Sequence, residues 1–338
     1  MPFAHLRRRE FITLLGGACS AAATSPLGLR SASAQQVPKV GLLYPGPAAA
    51  APSRIADLLE GLRTGGFRSP EQFELLPRIA DGDYSRLPAL AHDLVARKVD
   101  VIVAPSPPAI DAAVQVTRAS GSNVPIVASS FETDPVRAGL VQSLHRPGGN
   151  VTGVFLAFPE FGNKWIELLK ELAPELVRVA ALWDPVTGDI QLRAVQAAGR
   201  ILNVSVEVVA VRTRAEFDDA FAAARRYGAG AVVILGSPLF GAEVKSLADL
   251  ALRHRFPAVT LFTHFPRAGG LIAYGPNISD PYRIMGSMAA KILQGRRPAE
   301  LPVELYSRYE LAVNLKTAKA LGITIPPSIL LRADEVIE

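Results

Sequence analysis

Most of the sequence consists of one pattern of predicted strands and helices that occurs twice. Seven features recur in the same order, and each second copy follows the first by 121 to 139 residues. Each copy opens on a short apolar run that ends in an aromatic residue, Val40–Tyr44 and Val179–Trp183. Each later carries an apolar run followed by Ser-Pro, at Ser106 and at Ser237. A long repeat with the same internal order indicates a duplicated structural unit.

Within each copy, short apolar runs alternate with amphipathic helical patterns. This alternation is typical of βαβ units and hence of a parallel sheet. The sequence therefore predicts an α/β protein of two similar, doubly wound parallel-sheet lobes joined by a hinge near Val151–Phe158 and near Tyr274–Asp280. A tail from Pro281 is expected to return across the hinge and complete both lobes. The predicted division is 35–153 plus 281–300 for lobe 1, and 154–280 plus 301–338 for lobe 2.

The first 34 residues are expected to be a signal peptide rather than part of the fold. Three arginines, Arg7–Arg9, precede an apolar stretch, Ile12–Ala23, that is too short to span a bilayer. Ala32-Ser-Ala34 supplies a small-residue cleavage site, which predicts cleavage near Ala34. The run Arg8–Ile12 resembles the twin-arginine export signal, and an ordinary secretory signal with three arginines is the alternative. The expected location is the periplasm.

Charge and cysteine content exclude several classes of function. The chain has a formal net charge of +5, and the leader's four arginines and one glutamate supply +3 of it. The remaining 304 residues carry +2, which gives no argument for a nucleic-acid partner. The one cysteine, Cys19, lies in the leader, so the mature chain has no disulfide framework and no cysteine zinc cluster.

No pattern in the sequence indicates catalysis. Phosphate-loop, H-E-x-x-H and G-x-S-x-G motifs are all absent from the sequence. None of the four mature histidines pair at a metal-binding helical spacing, and each is expected on the surface or in packing; they are His92, His145, His254 and His264. We therefore expect no metal, no cofactor and no enzymatic activity.

Candidate ligand-binding residues lie in the loops that follow the predicted strands, because ligands of open parallel sheets bind beyond the carboxyl ends of the strands. The candidates are Tyr44, Ser106, Glu132, Thr133, Asp134, Trp183, Asp184, Ser237 and Tyr274. The same loops also contain Phe131, Phe240, Phe262 and Thr263.

Three kinds of chemistry are represented among these candidates. Ser106 and Ser237 each precede a proline and a helix, whose free N–H groups suit a carboxylate. The acids Glu132, Asp134 and Asp184 suit an ammonium group or sugar hydroxyls, and the aromatic residues offer flat faces for stacking. Each residue also has a structural interpretation, as a helix cap, a solvated loop acid, or core and hinge packing.

Several stretches resemble one family, the periplasmic substrate-binding proteins of ABC importers that include tryptophan- and phenylalanine-binding members. They are Arg7–Gly17, Asp83–Leu94, Asp134–Leu144, Arg146–Gly153, Leu311–Pro327 and Arg332–Glu338. The resemblance implies a type I periplasmic-binding fold that closes on its ligand and delivers it to a membrane permease. By position, it implies ligand contacts at Tyr44, Ser106, Asp134, Asp184 and Ser237.

Two departures from the family pattern affect the expected ligand. Family members often have Asn-Pro where this chain has Asp184-Pro185, and the loop Tyr44–Pro47 replaces a polar Ser/Gly loop. We therefore expect a monomeric solute-binding component of an ABC importer for a small amphipathic ligand, an amino acid or an aromatic or carboxylate compound. The alternatives are a ligand sensor that feeds a signalling receptor and, less favoured, an exported α/β enzyme.

Overall fold

The computed structural model describes residues 37–68, 71–131, 133–156 and 159–338. Residues Val37–Glu338 form one compact unit. The signal peptide predicted over residues 1–34 and the candidate Glu132 lie outside the described residues. Among the residues that are described, no helix has both the length and the hydropathy needed to cross a bilayer.

Six strands form the sheet of the first lobe: β1 (Lys39–Tyr44), β2 (Glu74–Ile79), β3 (Val101–Ala104), β4 (Ile126–Ser130), β5 (Val151–Leu156) and β11 (Glu304–Tyr306). Their order is β11-β5-β4-β3-β1-β2, and every pair is parallel. All four residues of β3 are buried, as expected for a central strand covered by helices on both faces.

Seven strands form the sheet of the second lobe: β6 (Arg178–Trp183), β7 (Ser205–Ala210), β8 (Ala231–Ile234), β9 (Ala258–Thr260), β10 (Ile272–Gly275), β12 (Glu310–Asn314) and β13 (Glu335–Ile337). Their order is β13-β12-β10-β9-β8-β6-β7. The pair β10–β12 is antiparallel and the other pairs are parallel.

The two sheets repeat one topology. The first contains the order β2-β1-β3-β4-β5, and the second contains the equivalent order β7-β6-β8-β9-β10. The runs that open the two sequence copies form β1 and β6, which take equivalent places in the two sheets. The predicted pair of similar doubly wound lobes is therefore confirmed.

Eleven α-helices lie among the described residues: α1 (Ala51–Thr64), α2 (Leu87–Ala96), α3 (Pro107–Ala119), α4 (Pro159–Leu172), α5 (Ile190–Ile201), α6 (Phe217–Tyr227), α7 (Pro238–Ala242), α8 (Val244–Arg253), α9 (Ser279–Leu293), α10 (Leu315–Leu321) and α11 (Pro327–Leu330). Helices α1 and α3 open on prolines at their first or second positions. Proline is well suited there, because the N–H it lacks would have no partner within the helix.

Helices α1 and α9 pack closely because each has a glycine at the crossing. A Cβ atom on Gly61 would lie 2.0 Å from the carbonyl oxygen of Arg283, and one on Gly286 would lie 2.2 Å from that of Leu58. Side chains at either position would force the two backbones apart. The close crossing fixes α9, from the C-terminal tail, against a helix from the start of the first lobe.

The C-terminal tail completes both sheets, although the predicted division of lobes differs from the strand membership. The tail supplies β11 to the first sheet and β12 and β13 to the second. The predicted boundary between residues 300 and 301 places residues 304–306 in lobe 2. In the structure these residues form β11, which pairs with β5 of lobe 1. Likewise, β5 runs to Leu156 in the first sheet, beyond the division at 153. The sequence of β11 did not reveal its partner, because three residues carry too little pattern.

Two of the connections between the lobes are held together by side chains. The segment between β10 and α9 contributes Asn277, whose amide donates to the Glu310 carboxylate over 3.2 Å. At the start of α9, Asp280 accepts a hydrogen bond of 2.9 Å from the Tyr306 hydroxyl. Asp280 also pairs with Arg308 over 3.3 Å. These contacts join two connections between the lobes: the segment between β10 and α9, and the segment between β11 and β12.

Candidate ligand-binding site

A cavity of about 110 Å³ lies where the carboxyl ends of strands from both lobes meet. The first lobe contributes the loop after β1, the start of α1, the loop after β3, the end of β4 and α9; the second contributes α7 and the loop after β9. This is where ligands bind in open parallel sheets. Three predicted ligand residues line it: Tyr44, Ser106 and Ser237.

The two Ser-Pro sequences, expected to be equivalent, differ in the structure. Ser237 caps the five-residue helix α7, and its hydroxyl accepts a hydrogen bond of 3.1 Å from the Phe240 N–H. Ser106 precedes α3 but its hydroxyl makes no capping bond. It is buried, and it has no hydrogen-bond partner among the described residues. The Ser106 hydroxyl therefore remains available to a ligand in the cavity.

The predicted anion site at the start of these helices is limited by the prolines. Pro107 and Pro108 occupy the first two positions of α3 and have no N–H to donate. Only Ala109 supplies a free N–H in that first turn. The short α7 uses the Phe240 N–H for its own cap. Side chains, rather than helix N–H groups, must therefore supply most of the polar recognition.

Arg54, in the first turn of α1, is the one lysine or arginine among the described residues that line the cavity, and none of them is an aspartate or glutamate. Its guanidinium lies 3.7 Å from the Asp57 carboxylate. It also lies over the ring of Tyr282, 5.6 Å from the ring centroid, in a cation–π arrangement. A cation at a helix N-terminus is opposed by the helix dipole, so this position favours an anion nearby.

Aromatic side chains make up much of the apolar wall. Tyr44 ends β1, and Tyr282 reaches the cavity from α9. Burial raises the pKa of both hydroxyls, and nearby Arg54 partly opposes the rise. Gly46 allows the Tyr44 ring to lie against the chain, because a Cβ there would be 2.6 Å from the Tyr44 hydroxyl oxygen. Phe131 and Phe262 complete this wall.

His264 lines the cavity from the loop after β9, although the sequence placed it on the surface or in packing. Its ring meets Phe262 edge-on, with centroids 5.9 Å apart. Burial lowers the His264 pKa, and the positive charge of Arg54 lowers it further. The imidazole is therefore held towards its neutral form while the cavity contains no anion.

Two of the predicted acidic residues, Asp134 and Asp184, lie outside the cavity lining. Asp134 accepts hydrogen bonds from the backbone N–H groups of Val136 and Arg137, at 3.0 and 3.1 Å. Asp184 is buried and accepts from the Val186 N–H at 3.2 Å. Burial raises the Asp184 pKa. Both acids cap turns, while the second carboxylate oxygen of Asp184 is buried with no hydrogen-bond partner among the described residues. The ligand roles of both acids stay predictions.

The remaining predicted residues are also outside the cavity lining. The Trp183 indole donates to the Gly188 carbonyl over 2.7 Å. The Tyr274 ring packs on Tyr309, with centroids 5.9 Å apart, beside the lobe connections. Thr133 is half-buried near the end of β4. Their ligand roles stay predictions.

Arg54 and Tyr282 lie on helices, whereas the strand–helix pattern of the sequence predicts ligand contacts only in the loops that follow strands. A signal for Arg54 was present in the sequence: a cation in the first turn of a helix is unfavourable unless an anion offsets it. Tyr282 had no such signal, since the face of α9 that meets the cavity depends on its crossing with α1.

Gln191 positions the loop that carries Ser237. Its buried side-chain amide donates to the Gly236 carbonyl at 3.1 Å and accepts from the Gly236 N–H at 2.7 Å. We expect Gln191→Leu to lower the free energy of unfolding by about 2–4 kcal/mol, because two buried backbone groups lose their partners. Denaturant unfolding checks this, with Gln196→Leu on the same helix as control. Equal stability of the two variants would contradict the assigned role.

Comparison with known proteins identifies the class. The family model described as ABC transporter substrate binding protein matches residues 49–337. The chain therefore belongs to the ABC transporter substrate-binding proteins, as the sequence resemblance predicted. Proteins of this family bind small molecules, deliver them to a permease and typically work outside the cytoplasmic membrane.

Individual relatives agree with this assignment. The chain is 26% identical over 272 residues to a tyrosine-binding protein of Clostridioides difficile (strain R20291), covering 78% of this chain and 75% of that protein. It matches an ABC domain from Streptococcus pneumonia in complex with L-Trp, with TM-score 0.81 and 26% identity over 89% of this chain and 100% of that one. A conserved domain protein from Vibrio cholerae gives the same TM-score and coverage at 24% identity. The structural matches confirm the predicted type I periplasmic-binding fold.

Proposed function

We propose that this protein captures a small aromatic carboxylate compound, an amino acid or an aromatic acid, between its lobes and delivers it to an ABC permease. The observation that carries the proposal is the cavity between the lobes. Its described lining combines aromatic walls, one arginine and a serine whose hydroxyl has no partner among the described residues. An aromatic ring buried there leaves water, and a carboxylate gains charge-assisted hydrogen bonds from Arg54. The tyrosine-binding relative and the L-Trp complex support an aromatic ligand.

We also propose that the protein is exported to the periplasm through the twin-arginine route and that residues 1–34 are then removed. The run Arg8–Ile12 and the site at Ala32–Ala34 support this proposal. The protein then acts there as a monomer, without catalysis and without nucleic acid. Mass spectrometry of the protein recovered from the native periplasm tests it, with Gln35 expected as the first residue.

Calorimetry and thermal unfolding of ligand-stripped protein test the binding function. The panel contains aromatic amino acids, aromatic monocarboxylates, sugars and purines. We expect an aromatic carboxylate to bind, and to raise the Tm by about 5 °C at 100 times its Kd, because ligand binding stabilises only the folded state. Binding of a sugar or purine with no response to any aromatic carboxylate would overturn the proposal.

A further inference from the structure

We propose that the ligand carries a carboxylate but no ammonium group, so that the site selects an aromatic monocarboxylate over the α-amino acid with the same side chain. This inference rests on the proposed function and narrows its ligand class. It departs from the amino acids bound by the two relatives described above.

The charge of the cavity lining favours an anion over a zwitterion. Among the described lining residues, Arg54 and His264 are the basic groups, one from each lobe, and there is no carboxylate. An ammonium group in this space would lie near the Arg54 charge and would lose water without gaining an ionic partner. A carboxylate in the same space would instead be attracted by the charge of Arg54.

The acids nearest to Arg54 are already engaged. Asp57 pairs with both Arg54 and Arg283, at 3.7 and 3.2 Å. Asp280 pairs with both Arg283 and Arg308, each at 3.3 Å. Three arginines thus share two aspartates along this row. These five side chains together carry one net positive charge, and Arg54 is the member of the group that lines the cavity.

Ser106 adds the hydrogen-bond donor that a carboxylate needs. Ser106 is one of the lining residues, and its buried hydroxyl has no partner among the described residues. The second position of α3 is Pro108, so one of the two backbone N–H groups that usually occupy a capping serine is absent. An anion held by Arg54 in the same cavity would accept this O–H.

The cavity size fits one aromatic ring. Its volume of about 110 Å³ is near the roughly 150 Å³ of an engineered cavity that binds benzene. Four aromatic residues line it: Tyr44, Phe131, Phe262 and Tyr282. A phenyl or hydroxyphenyl group with a short acid chain is therefore the compound class that best matches shape and charge together.

Calorimetry with sets of matched compounds tests the inference on the ligand-stripped wild-type protein. The first set is 3-phenylpropanoate, L-phenylalanine and 2-phenylethylamine, which differ only in the carboxylate and the ammonium group. The hydroxyphenyl and indole analogues form two further sets. We expect the acid to bind at least 10-fold more tightly than the amino acid in at least one set, and the amine to show no binding.

Each outcome distinguishes the inference from the function on which it rests. Tighter binding of the amino acid in every set would overturn the inference and leave the proposed function intact. Absence of binding by all nine compounds would overturn both. Two variants, Glu132→Gln and Asp184→Asn, test whether a carboxylate of the protein binds the ammonium group of the amino acid. Glu132 is chosen because it follows the lining residue Phe131 in the chain. If either variant selectively weakened the amino acid, a carboxylate would hold the ammonium and the inference would be wrong.

Discussion

Replacing Arg54 with methionine is expected to weaken binding of an aromatic carboxylate about 10- to 150-fold. Charge-assisted hydrogen bonds contribute about 1.5–3 kcal/mol each, and Arg54 is the one arginine or lysine among the described lining residues. Methionine keeps much of the side-chain length and its packing on Tyr282 while it removes the charge. Calorimetry with the tightest carboxylate of the panel measures the change.

The control for this variant is Arg63→Met on the same helix. Arg63 is exposed and pairs with Glu60 at 2.6 Å, away from the cavity. Stability should change little in Arg54→Met, because Asp57 keeps its pair with Arg283 and the N-terminus of α1 loses an unfavourable charge. Equal affinities for the two variants would show that Arg54 does not hold the ligand.

Gly61→Ala and Gly286→Ala are each expected to lower the free energy of unfolding by about 1–3 kcal/mol, and more if the helices cannot separate. The added Cβ meets a backbone oxygen at 2.0 or 2.2 Å, and neither helix has a flexible side chain there that can move aside. For a chain of this size, the expected loss in Tm is about 3–10 °C. Thermal and denaturant unfolding measure the effect.

The same variants should also weaken ligand binding, because Arg54 lies on α1 and Tyr282 on α9. Separating the helices separates two parts of the cavity wall. Gly149→Ala is the control, since Gly149 has no atom within 4 Å of its added Cβ. A Tm within about 1 °C of wild type for both helix variants would show that the crossing tolerates a methyl group.

The duplicated topology was predictable because it depends on repeated local patterns. Apolar runs such as Val101–Ala104 and Ala231–Ile234 are fully buried strands, and each reads as such from sequence alone. The tail was harder to interpret. Glu304–Tyr306 is a three-residue edge strand whose partner lies 150 residues earlier in the chain, so nothing local identifies the sheet it joins.

The candidate site was predictable only where strand ends determine it. Tyr44 and Ser106 follow strands of the first sheet and reach the cavity as the topology requires. The equivalence of Ser106 and Ser237 does not extend to their hydroxyl groups. Ser237 accepts from Phe240, the third residue of its helix, whereas Ser106 does not accept from the equivalent Ala109, although both residues have an N–H. The shared Ser-Pro pattern therefore does not determine which serine is free for a ligand.

The division of the C-terminal tail between the two sheets has a consequence for biogenesis. Strand β5 has β11 as its outer neighbour, and α1 packs against α9. During synthesis, the first lobe therefore gains its covering helix only once residue 293 has been made and its edge strand only once residue 306 has been made. By then the strands β6 to β10 of the second lobe have also been made, so the complete first sheet cannot form before most of the second lobe has been synthesised.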